Sequence, residues 1–110
     1  SSSLATLIIE KNSSPEILSW AMGIAEKLIL HGYYSPSAEL AKSIVEKSSN
    51  PEILSRAMSI AEKFVNSFSP TCICKDAIHL TKTIVKKNPE PEILERAYKL
   101  LPNLRPKPTV

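Results

Sequence analysis

Apolar residues return every three or four positions along most of this chain. From Ile17 the series runs through Leu18, Ala21, Met22, Ala25, Leu28 and Ile29, while Glu16, Ser19, Gly23, Glu26 and Lys27 fill the opposite stripe. This spacing predicts an amphipathic helix. The series recurs further on as Ile53, Leu54, Ala57, Met58, Ala61, Phe64 and Val65. Each series opens on the tetrapeptide Pro-Glu-Ile-Leu, which starts at Pro15, Pro51 and Pro91, giving spacings of 36 and 40 residues. Proline suits the first helical position, where its missing N–H would have no partner. Ser14 and Asn50 stand before two of these prolines as N-cap residues. Glu16, Glu52 and Glu92 then place negative charge at the positive end of the helix dipole.

The blocks upstream of each tetrapeptide also align. Leu4 to Lys11 matches Leu40 to Lys47 and Leu80 to Lys87, each with apolar positions at helical spacing. Downstream, Ala21 to Lys27 matches Ala57 to Lys63, and the third copy decays after Leu101. Ser35-Pro36 and Ser69-Pro70 open two of the partner helices, the second with extra residues from Thr71 to Asp76. Six helices are therefore predicted near 4–12, 15–31, 36–48, 51–67, 72–87 and 91–101. Short loops make sequential helices antiparallel, and one hairpin cannot bury its apolar stripe alone, so neighbours stack. The expected fold is all-α, three stacked antiparallel hairpins (about 4–31, 36–67 and 72–101) in a short α-α superhelix. Residues 1–101 form one domain, and 102–110, with Pro102, Pro106 and Pro108, an extended proline-rich tail. A longer parent array, of which this is a piece, is equally compatible with the repeat.

A period in the high thirties, with proline at the junction before each new helix, resembles the α-α superhelix repeats typified by the tetratricopeptide and HEAT families. Gly32-Tyr33-Tyr34 sits near the tetratricopeptide turn, whereas Ser19-Trp20-Ala21-Met22-Gly23 does not align with that family's Trp-Leu-Gly-Tyr signature. The resemblance implies a scaffold that binds peptides, proteins or, in some cases, nucleic acid.

Composition narrows the choice of chemistry. In 110 residues there are two glycines, too few for a phosphate-cradling loop, and no apolar run of the ~20 residues a membrane span needs. No membrane association and no small-molecule substrate are expected. Cys72 and Cys74, the only cysteines, suit a reducing interior, so a cytoplasmic location is expected. Their spacing on a helix points the thiols apart, and only His31 and His79 could complete a zinc set. His31, before Gly32, reads as a helix-end residue. The glutamates recur at equivalent positions, which fits helix starts and salt bridges better than a unique acid–base pair. No catalytic residue, metal site or cofactor is assigned, and an enzyme is not expected.

Two departures from the repeat are candidates for function. Trp20, the only tryptophan, stands where the later copies have Arg56 and Arg96, on a predicted polar stripe. Exposed large aromatics are enriched at protein interfaces, so Trp20, Tyr33, Tyr34, Arg56 and Arg96 form the candidate protein-binding set, with a protein partner or a second copy as the ligand. The other departure is electrostatic. Residues 1–69 hold six Lys/Arg against seven acidic groups, and residues 70–110 hold eight against four. Lys75, His79, Lys82 and Lys86 share one helical face, and Arg105 and Lys107 extend the charge into the tail. The alternative reading is thus a nucleic-acid-binding helical repeat using these six residues.

Overall fold

The helix-start signals act where the sequence places them. The computed structural model describes residues 2–67 and 75–104, with side chains of the first helix from Thr6 onward. Among these residues six helices form: α1 (Ser2–Lys11), α2 (Pro15–Leu30), α3 (Tyr34–Lys47), α4 (Pro51–Asn66), α5 (Lys75–Lys86) and α6 (Pro91–Leu100). No strand occurs among them. Pro15, Pro51 and Pro91 are each the first helical residue. Ser14 Oγ accepts from the Ile17 N–H at 3.4 Å, and Asn50 Oδ1 accepts from the Glu52 N–H at 2.8 Å. α6 lacks such a cap, because Glu90 precedes it and makes no side-chain cap bond.

The end of α2 is a backbone device. Gly32 adopts φ +86°, which lets its N–H reach the Ile29 carbonyl (3.1 Å) and the Tyr33 N–H reach the Leu28 carbonyl (2.8 Å). These are the two bonds of a Schellman motif, closed by a glycine because a left-handed residue is needed. The tight stop lets α3 begin at Tyr34, two residues before the predicted Pro36. Proline is accommodated there, since first-turn N–H groups have no intrahelical partner. α5 ends in a comparable way at Asn88, φ +53°, a residue that tolerates this region. After α6, Pro102–Leu104 forms one 3-10 turn where extended chain is expected, with the Leu104 N–H bonded to the Leu101 carbonyl at 3.0 Å. Residues 68–74, with Cys72 and Cys74, and 105–110 lie outside the described residues.

The helices pair as a stack of three hairpins, α1–α2, α3–α4 and α5–α6. α3 lies at the centre and touches α1, α2, α4 and α5, while α4 packs on both α2 and α6. Alanines 21, 25, 38, 41, 57, 61, 77 and 97 are fully or almost fully buried, which allows close approach of neighbouring helices. Ile9, Met22, Leu40, Ile44, Leu54, Met58, Phe64, Leu80 and Ile84 fill the space between them. The two buried polar side chains of the core are satisfied: the Ser37 hydroxyl donates to the Ala25 carbonyl at 2.6 Å, tying α3 to α2. The Thr81 hydroxyl donates to the Ala77 carbonyl at 2.8 Å.

A polar ladder fastens each hairpin to the one before it. Arg56 on α4 pairs with Glu26 on α2 and donates from Nη1 to the Ser19 hydroxyl at 3.2 Å. Arg96 on α6 repeats the contact one hairpin later. It pairs with Glu62 on α4 and donates to the hydroxyls of Ser59 (2.9 Å) and Ser55 (3.2 Å). Hydrogen bonding to Glu26 raises the Arg56 pKa above its ordinary value, outweighing partial desolvation, and Glu62 does the same for Arg96. These partly exposed pairs set register more than they add stability, since such pairs are worth ~0–1 kcal/mol.

Candidate protein-binding surface

The ladder gives direction to the stack. In α4, Ile53, Arg56 and Ile60 share one stripe: Arg56 reaches α2 of the preceding hairpin, and Ile53 and Ile60 are buried. The equivalent stripe in α2 is Ile17, Trp20 and Ile24. Here Ile17 and Ile24 are partly buried and pack against the core, and Trp20 is 47% exposed. The aromatic side chain thus stands on the end face of the stack, as its place on the polar stripe predicts.

A second residue joins it. Ser43 on α3 lines the crevice against Ile9 and Glu10 of α1, so this position looks toward the preceding hairpin. Its equivalent in α1 is Leu7, which is 55% exposed. Leu7 lies four residues before the end of α1 and Trp20 five after the start of α2, so the antiparallel pair brings both to the same height above the turn. Leu7 is absent from the sequence-derived set, although the signal was present in the same alignment, as Leu7 against Ser43 and Thr83. Both substitutions run in one direction: where inner hairpins have a hydroxyl and a guanidinium, the outer one has leucine and tryptophan.

The remaining candidates fall elsewhere. Tyr33 is 60% exposed beside the exposed Leu30, at the opposite end of α2 from Trp20. Tyr34 turns inward instead, and its ring meets Phe64 at 5.5 Å between centroids and 55° between planes. Trp20 and the two tyrosines therefore do not form one patch. Arg56 and Arg96 are held inside the ladder. Lys75, His79, Lys82 and Lys86 are all exposed along α5, as one face of that helix requires. Lys87 lies off this stripe and donates to the Glu46 carbonyl of α3 at 3.0 Å. Arg105 and Lys107 lie outside the described residues.

The far end of the stack is built differently. The positions that offer Ser19, Gly23 and Glu26 in α2, and Ser55, Ser59 and Glu62 in α4, hold Glu95, Lys99 and Pro102 in the third hairpin. Glu95 and Lys99 are exposed, and Pro102 lies just beyond the end of α6. A groove of about 670 Å³ between the starts of α2 and α4 is lined by several serines and by Asn50, but Glu16 and Glu52 also face it and disfavour an anion. None of the six helices is long and apolar enough to cross a membrane. No protein-family model, no curated protein and no solved structure matches this chain.

Proposed function

We propose that the chain is a non-enzymatic helical-repeat scaffold of the cytoplasm that mediates protein–protein interaction or self-association, in the manner of tetratricopeptide- and HEAT-like superhelices. The observation that carries this reading is the pair of exposed apolar side chains Leu7 and Trp20, at positions that hold a hydroxyl and an arginine in the later hairpins. Large aromatics at the centres of protein interfaces supply most of their binding energy. The carboxylates support the non-enzymatic part: Glu16, Glu52 and Glu92 stand at helix starts, and Glu26 and Glu62 are held by arginines.

The test replaces Leu7 with a photoreactive benzoylphenylalanine and illuminates the protein in cell extract. Adducts that disappear when Trp20→Arg is added, with helical circular dichroism unchanged, support the reading. Arginine is native to that register, so the variant keeps its fold. An illuminated sample with no Trp20-dependent adduct of any mass overturns it.

The exposed α5 stripe favours a second reading, nucleic-acid binding through Lys75, His79, Lys82, Lys86, Arg105 and Lys107. It requires affinity for labelled RNA or DNA that falls steeply with salt and drops on Lys82→Glu with Lys86→Glu. Absence of binding at low salt removes it.

A further inference from the structure

α3 is flanked by α1, α2, α4 and α5, so a position exposed on it points away from the stack. Glu39 and Glu46 are such positions. In the aligned block of α5 the same registers hold His79 and Lys86, with Lys82 at the register of Lys42, and all three are exposed. The outward side of α5 is therefore set by the repeat itself, whichever hairpins stand before or after. Its sign is reversed. Acid, lysine, acid on α3 becomes histidine, lysine, lysine on α5, and Lys75 adds a cation one turn earlier. Among the described residues the side chains of Lys75, His79, Lys82 and Lys86 have no ion-pair partner, whereas Lys87 is held by the Glu46 carbonyl.

We infer that α5 docks along the phosphate backbone of a nucleic-acid duplex without reading its bases. This rests on the nucleic-acid reading above and names its ligand. Lys75, His79, Lys82 and Lys86 follow one another at steps of about 6, 4.5 and 6 Å along the helix, a straight row of about 16.5 Å. A duplex offers a continuous ridge of phosphates to such a row, with one charge per ~1.7 Å of its axis. Entry of α5 into a groove is opposed by α3, whose axis lies about 8–10 Å away. Glu39 and Glu46 stand there at the registers of His79 and Lys86, and a groove that received α5 would press them against its phosphate walls. Single strands are gripped instead by stacking their bases on aromatic side chains. α5 contains no Phe, Tyr or Trp, and the exposed Trp20 and Tyr33 belong to α2 and the turn that follows it.

The number of cations sets the salt response. Three lysines that neutralise three phosphates give a slope of log affinity against log salt of about −2.7, so affinity falls roughly 40-fold between ~50 and ~200 mM salt. Dissociation constants of ~10⁻⁴ to 10⁻⁶ M are expected for such sequence-independent contact.

Fluorescence anisotropy tests this with the full chain, labelled DNA duplexes of about 20 base pairs in two unrelated sequences, and their separated strands. Both duplexes should bind alike and more tightly than either strand, with the slope given above. Lys82→Glu with Lys86→Glu removes two contacts and lowers the slope to about −1, while helical circular dichroism is retained because both side chains are exposed. Glu39→Lys with Glu46→Lys extends the row onto α3 and should raise duplex affinity severalfold. Strands bound as tightly as the duplex, strong preference for one sequence, or a slope that the lysine variant leaves unchanged each overturn docking through α5 while nucleic-acid binding itself stands. No binding of any strand at low salt overturns both.

Discussion

Ile24 and Ile60 are the same residue at the same register, one partly exposed and one buried. Truncating each to alanine isolates what that covering is worth. Ile60 is 1% exposed. Removing three carbons costs about 2.4 kcal/mol in transfer free energy at ~0.8 kcal/mol per methylene. A cavity between α2 and α4 adds to this, for a total of roughly 3 kcal/mol. Ile24 is partly exposed at the margin of the core. Half the transfer term is lost and no closed cavity forms, giving about 1 kcal/mol. Urea unfolding followed by circular dichroism reads the difference directly through the midpoint at constant slope. The gap of about 2 kcal/mol corresponds to roughly 10 °C in Tm for a domain of this size. Equal losses in dilute protein would refute the reasoning, because the outer face of α2 would then be as well covered as that of α4.

Two further substitutions test the local signals. Asn50→Ala removes the cap bond to the Glu52 N–H and should cost about 1 kcal/mol, whereas Glu90→Ala, at a helix start without a side-chain cap bond, should cost under ~0.5 kcal/mol in the same urea assay. Gly32→Ala meets no atom within 4 Å, so its effect is backbone strain alone at φ +86°. About 1 kcal/mol of destabilisation is expected by thermal unfolding, and Gly32→Asn should recover part of it.

The six helices and their order were legible, and so were the starts of α2, α4 and α6, because these features are written in local physics. Proline at the first position, a capping side chain before it and apolar residues every three or four positions act within one turn of chain. Threefold recurrence of Pro-Glu-Ile-Leu made the hairpin stack readable too, since equal stripes need equal neighbours. Trp20 was legible as a departure from that pattern, and its exposure followed from its place on the polar stripe. Tertiary structure alone decided the rest. Tyr33 and Tyr34 are adjacent and chemically identical, yet the tight stop at Gly32 sends one to solvent and the other against Phe64, 30 residues away. Arg56 and Arg96 look like surface charges in the sequence and become the ties between hairpins, because their partners lie 30 and 34 residues earlier. Leu7 and Ile24 are ordinary members of a helical pattern until the stacking direction is known. How far a neighbouring hairpin covers a stripe is a property of packing, and that is why Ile60 is buried while Ile24 at the same register is only partly so.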